Sequence, residues 1–106
     1  MISVTHFDAG DDLSFAERAQ AALAALAARP GYLGGSLGRS TDDDGQWIIV
    51  TEWADVGSYR RALGGFEVKM LATPLLAQAI DQPSSFEQLV LIDADQQVTL
   101  RRSDRA

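Results

Sequence analysis

Residues 46–59 read Gln46-Trp47-Ile48-Ile49-Val50-Thr51-Glu52-Trp53-Ala54-Asp55-Val56-Gly57-Ser58-Tyr59, and this stretch decides the fold. β-Branched and aromatic side chains fill 47–53, which suits a pleated, half-buried surface. Alternation puts Trp47, Ile49, Thr51 and Trp53 on one face, and Ile48 and Val50 on the other with Glu52 beyond them. Both faces are largely apolar, as in a central strand covered on two sides. Asp55 follows at once and can cap a helix by accepting from free backbone N–H groups. The stretch is a buried strand that runs straight into a helix start.

On its N-terminal side, residues 32–40 are glycine-rich, with Leu33, Gly35, Leu37 and Arg39 sharing a face. Propensity makes this a weak strand. Thr41-Asp42-Asp43-Asp44-Gly45 joins it to the central strand as a hairpin turn. The three aspartates do not make a calcium loop, because the spacing and distal glutamate of an EF-hand are missing. Residues 2–7 alternate and place Ile2, Val4 and His6 on one face of a first strand. Ser14-Phe15-Ala16-Glu17 has the form of a capping box with Ser14 as N-cap. It opens an alanine-rich helix to residue 28, with Phe15, Ala19, Ala22, Leu23 and Leu26 on one stripe. Pro30-Gly31 stops it.

On the C-terminal side, 56–63 are helical and Gly64-Gly65 interrupt them. Residues 66–72 continue helically, with Phe66 and Met70 one turn apart. Thr73-Pro74 restarts a helix with Leu75, Leu76, Ala79 and Ile80 as its apolar stripe, and Gln82-Pro83 ends it. Residues 86–92 alternate as a last strand. Residues 1–95 form one domain, and 96–106 form a polar tail made locally basic by Arg101, Arg102 and Arg105.

The order strand, helix, strand, strand, broken helix, strand is the split βαβ pattern of the ferredoxin-like α+β fold. It predicts a four-stranded antiparallel sheet with both long helices on one face. The other face is expected to carry Phe7, Ile48, Val50, Leu89 and Leu91. Sheet-to-sheet packing of a second copy would cover it, giving a homodimeric α+β barrel.

A chain of 106 residues is one domain as a prior, long enough for a real core. It contains no cysteine, which excludes disulfides, thiolate metal sites and a cysteine nucleophile. Net charge is −6, with 15 Asp and Glu against 9 Lys and Arg. An acidic chain without a basic stripe argues against nucleic acid or an anionic membrane as partner. No apolar run approaches a membrane span, and no signal-peptide pattern opens the chain. Cytoplasm is the expected location.

With this order of elements, the chain resembles the antibiotic biosynthesis monooxygenase superfamily over residues 1–92. The marks are Arg29-Pro30-Gly31-Tyr32-Leu33-Gly34-Gly35-Ser36 after the first helix and Thr51-Glu52-Trp53-Ala54-Asp55 closing the third strand, followed by Tyr59 and Phe66. The resemblance implies small homodimers with one pocket per subunit between helices and sheet. It also implies oxidation of aromatic polyketides or quinols by dioxygen with no bound cofactor. Another branch of the family degrades haem using a helix histidine. Here that region reads Arg60-Arg61-Ala62-Leu63-Gly64 and offers no iron ligand. The family's strand asparagine is also missing: the chain contains no Asn, and His6 stands at about that position.

His6 is the one imidazole. An unperturbed histidine titrates near neutrality and can take a proton from a phenol; the plainer alternative is a structural His at a strand end. The other candidate catalytic groups are Trp53, which would stack on a planar substrate or pack in the core, and Tyr59, which would orient a substrate oxygen or face water. Candidate substrate-binding residues are Trp47, Phe66 and Met70, the last two forming a pliable wall or simply core, and Arg39, for an acidic substrate or as a surface residue. No metal and no cofactor is expected. Ser36 and Ser40 form no triad, and glycines 34, 35 and 38 form no nucleotide loop. The expected cavity touches Trp53, Tyr59 and Phe66, with His6 on the same helix side of the sheet. Three functions fit: cofactor-independent oxygenation of a small aromatic compound, binding of a small apolar or aromatic ligand without turnover, or a cyclase or isomerase.

Overall fold

The computed structural model describes residues 1–105; Ala106, the end of the expected tail, lies outside them. The central strand is β3 (Gln46–Trp53). It lies between β1 (Ile2–Asp8) and β2 (Tyr32–Arg39), and β4 (Ser85–Phe86) completes an antiparallel sheet of order β2-β3-β1-β4. This is the ferredoxin-like α+β fold. The helices are α1 (Leu13–Ala27), α2 (Val56–Ala62), α3 (Phe66–Leu71) and α4 (Thr73–Leu76), with α1 packed on β2, α3 and α4.

Along β3 the alternation is strict: Trp47, Ile49, Thr51 and Trp53 are buried under the helices, while Ile48, Val50 and Glu52 are half-buried on the open face. Two aromatic groups anchor its ends. Phe15 lies 5.1 Å from Phe7 and 5.5 Å from Trp47, ring centre to ring centre. Trp53 lies 5.4 Å from Tyr32 and 5.7 Å from Tyr59. These spacings are in the favourable range for tilted and edge-on rings.

The register corrects the expected faces. Phe7 stands opposite Trp47 and is 1 % exposed, so it belongs to the helix-side core and not to the open face. His6 stands opposite Ile48, on the open face with Val4 and Val50, and not with Trp53. Alternation within one strand says which residues go together. It does not say which side of the sheet they take, because a shift of one residue in pairing exchanges the faces.

The helix starts follow capping chemistry. Asp12, rather than Ser14, is the N-cap of α1: its Oδ1 accepts from the Ser14 N–H at 2.8 Å and the Ser14 hydroxyl at 2.7 Å. Asp55 caps α2 as expected, accepting from the Ser58 N–H at 2.7 Å. The Ser14 hydroxyl, then its N–H, hold the Asp12 carboxyl below its ordinary value of 3.8. The Ser58 N–H, then its hydroxyl, do the same for Asp55. A depressed folded-state value means the charged form is bound more tightly in the fold. The stability from both caps is therefore complete above pH 3.8 and is lost as pH falls through the lower folded-state values. Acid titration followed by circular dichroism should show this, and Asp12→Asn with Asp55→Asn should flatten the acid limb. An unchanged limb would remove the caps as its cause.

Gly31 ends the first helix region at φ +89, and a Cβ there would lie 2.4 Å from the Ser58 Cβ. Glycine is needed for both reasons. Its carbonyl accepts from Ala54 N–H at 2.8 Å, which locks the start of β2 to the end of β3.

The C-terminal third departs from expectation. The helix expected to run from Thr73 to Gln82-Pro83 ends at Leu76, because the chain turns to run along β1: Ile80 N–H donates to His6 O at 2.8 Å and Val4 N–H to Ser84 O at 2.7 Å. The single strand expected over 86–92 is divided. Only Ser85 and Phe86 pair with β1, and β5 (Val90–Ile92) pairs instead with β6 (Val98–Leu100) in a separate hairpin. Asp93 drives that turn, its carboxylate accepting from the N–H groups of Asp95 and Gln97, both at 2.9 Å. The turn spans the expected junction between residues 95 and 96. Among the described residues, no helix is long and apolar enough to cross a membrane.

Candidate functional site

A half-open cleft of about 400 Å³ lies along the free edge of β1. It exists because β4 pairs with only the first residues of β1, leaving the edge beyond Ser3 to the looser segment 79–84. Thr5 points toward the helices and His6 toward the open face, yet both line the cleft, so it wraps round the strand edge. Tyr59 of α2 forms the helix-side wall, and Leu76, Ile80 and Asp81 form the outer wall.

Tyr59 is positioned from two directions. Its ring packs on Trp53, and its hydroxyl accepts from the Ser3 hydroxyl at 3.4 Å. Trp53 is 1 % exposed, and its Nε1–H donates to Thr51 Oγ1 at 2.8 Å. It buttresses Tyr59 from behind and does not line the cleft. Its place in the expected cavity is therefore corrected: a fully buried ring with a satisfied N–H has no face left for a ligand.

The structure brings His6 and Tyr59 to one cleft and sends the other candidates elsewhere. Trp47 is buried at the far end of β3, donating to Gly10 O at 3.0 Å. Arg39 lies over the Trp47 ring at 4.7 Å and pairs with Asp11 at 2.6 Å, and the Asp44 carbonyl accepts from its Nε at 2.7 Å. Phe66 and Met70 point outward, 75 % and 60 % exposed, because α3 turns Val68 rather than Phe66 inward. Phe66 therefore does not join Tyr59 and Trp53 around a cavity. Sequence reading missed Thr5 and the whole 79–84 wall. Its one signal was Gln82-Pro83, read as a helix end although the helix had already stopped.

The cleft has room for a small organic molecule carrying polar groups: Val4, Leu76 and Ile80 give it apolar wall, while the Tyr59 hydroxyl, the His6 imidazole, the Gln82 amide and the Asp81 carboxylate make much of its lining polar. Among the described residues, no group of three or more His, Asp or Glu is placed to hold a metal ion.

Fold and cleft together define a ferredoxin-like α+β protein with a ligand-sized space between its sheet edge and its helices. The chain belongs to the antibiotic biosynthesis monooxygenase family, whose model matches residues 2–69. It is similar to SnoaB, a cofactor-independent oxygenase from Streptomyces nogalater, at 25% identity over 83% of this chain and 94% of that one, with a TM-score of 0.67. A mutant of SnoaB gives 26% identity over 74% and 82%, with a TM-score of 0.66. A conserved protein from Methanosarcina mazei Go1 shares the fold alone, at 15% identity over 79% and 84%, with a TM-score of 0.65. No functionally curated protein matches the chain. The family match ends before residues 76–84, which build the outer wall of the cleft.

Proposed function

We propose that the chain is a cytoplasmic, homodimeric, cofactor-independent monooxygenase of a small hydroxylated aromatic compound bound between His6 and Tyr59. The observation that carries this reading is that the one imidazole and a positioned phenol line the same cleft. Family membership and the likeness to SnoaB support the oxygenase class. In this reading His6 removes a proton, and the substrate carbanion donates electrons to dioxygen. A carbon–oxygen bond forms, and loss of water from the hydroperoxide leaves a carbonyl. One oxygen atom enters the product and the other leaves as water.

The dimer has its own support. Ile2, Val4, Ile48 and Val50 form an apolar open face. Val90, Ile92, Val98 and Leu100 pair across the β5–β6 hairpin on one side and are all more than half exposed. Apolar surface of that extent normally meets a partner, and a second copy is the economical one. It would also close the side of the cleft that His6 faces.

One observation favours a non-catalytic binder instead: the His6 imidazole has no hydrogen-bond partner among the described residues to hold it as a base. Oxygen uptake separates the readings. With a panel of hydroxylated anthrones and quinols, one substrate should consume dioxygen in equal amount, and His6→Ala should lower the rate about 10²–10⁴-fold, as for loss of a general base. Saturable binding without oxygen uptake would establish the binder. Turnover untouched by His6→Ala would remove His6 as the base.

A further inference from the structure

We infer that a break in the hydrogen-bond ladder on the edge of β1 orients the ligand, and that it selects a planar ring carrying a hydrogen-bond donor beside a carbonyl. This rests on the cleft being the binding site.

β1 and β4 meet in the register Ile2↔Phe86 and Ser3↔Ser85. Continued, that register sets Val4 opposite Ser84, Thr5 opposite Pro83 and His6 opposite Gln82. The first step holds, since Val4 N–H donates to Ser84 O at 2.7 Å. The ladder then fails. His6 O accepts at 2.8 Å from the N–H of Ile80, two residues beyond Gln82. Two extra residues on the outer side are thus looped away from the strand. Pro83 lies between the last bonded residue, Ser84, and the looped residues 81 and 82.

Two backbone groups are left over. Met1 O accepts from Trp53 N–H, so odd-numbered residues of β1 bond to β3 and even-numbered ones face the β4 side. On that side the order along the strand is Val4 N–H, Val4 C=O, His6 N–H, His6 C=O. The outer two are bonded. The inner two, Val4 C=O and His6 N–H, have no partner among the described residues, and both residues line the cleft. Backbone groups in a half-buried wall are nearly always satisfied by something, and bulges gather beside binding sites.

A carbonyl and an N–H at this spacing match a ligand edge with a donor next to an acceptor, such as a cyclic amide or a ring hydroxyl beside a ring carbonyl. Such an edge would lie in the plane of the sheet, with Tyr59 against the helix-side margin of the ring. The main chain would then fix the ligand's orientation, leaving the imidazole for other work.

The test uses the full chain, isotope-labelled for NMR, with 2-quinolone as probe and N-methyl-2-quinolone and quinoline as controls. In the free protein the His6 amide should exchange with solvent faster than that of Thr5, which is paired with β3. 2-Quinolone should move the His6 amide signal downfield and slow its exchange. N-methyl-2-quinolone lacks the donor and quinoline lacks both the donor and the carbonyl; each should bind at least about tenfold weaker, the loss expected when a polar group is left unpaired. A chain lacking residues 81 and 82 can close the ladder and should lose probe binding while keeping the β3 and α1 signals. If the His6 amide is already protected in the free chain, or all three compounds bind alike while shifting Tyr59, the edge has no orienting role and the cleft stands. If none of them shifts Tyr59 or His6 at millimolar concentration, the cleft reading falls with it.

Discussion

Val50→Asp is expected to give a monomer of 11.4 kDa where the parent chain sediments at about twice that mass at micromolar concentration. Val50 stands opposite Val4 in the middle of the open face, next to Ile48 and away from the helices. In the dimer proposed above it would lie at the centre of an apolar interface. A carboxylate there would be buried without a partner, at a cost of about 3–5 kcal/mol, which is more than a hundredfold in Kd. The fold of the separated chain should survive, because the side chain points away from the core formed by Trp47, Ile49 and Trp53. Circular dichroism should therefore be nearly unchanged while the mass halves. A parent chain that is already monomeric at micromolar concentration would end the barrel proposal and leave the apolar face of the β5–β6 hairpin to some other partner.

Trp53→Ala should cost about 3–5 kcal/mol, the usual range for emptying a buried aromatic site. The ring is 1 % exposed, sits against Tyr32 and Tyr59, and satisfies its N–H on Thr51. The substitution removes a shared partner of two aromatic residues and leaves the Thr51 hydroxyl without its donor. Against a total stability of about 5–15 kcal/mol, that is a large part of the whole. The melting temperature should fall by more than about 12 °C, at roughly 4 °C or more per kcal/mol for a domain of this size. Trp53→Phe should recover most of it. Thermal melts decide between this role and the stacking role that sequence alone permits. Were Trp53 a platform for substrate, the alanine chain would melt near the parent and bind its ligand poorly. A small drop in melting temperature with a large loss of affinity would overturn the assignment made here.

These two residues show how far sequence reading reached. Val50 and Trp53 lie three positions apart on β3 and differ in parity, so alternation alone assigned them to opposite faces, and the structure agrees. Which face the helices cover was also legible, because Trp53 passes the chain through Asp55 directly into α2 and that helix must fold back over it. His6 had no such link. Its side of the sheet depends on pairing with Ile48, a residue 42 positions away, and a one-residue change of register would reverse it. Phe66 and Met70 went wrong for a related reason. A single helical turn marks two residues as neighbours, but in α3 the rotation about the helix axis is set by what lies beneath, and Val68 takes the inward position.

By itself the sequence determined what local chemistry determines: the strand 47–53, the Asp55 cap, the stop at Pro30-Gly31, the breaks at Gly64-Gly65 and Thr73-Pro74, and from their order the ferredoxin-like class and the family. Each depends on neighbours a few positions apart, where backbone preference and side-chain periodicity act directly. Only the tertiary structure decided where the cleft is. It arises from two strand edges that fail to pair beyond Ser3, from the course of residues 79–84 along β1, and from the choice of 90–92 to pair with 98–100 rather than with the sheet. All three are competitions between distant segments for the same backbone hydrogen bonds, and no single segment carries the outcome.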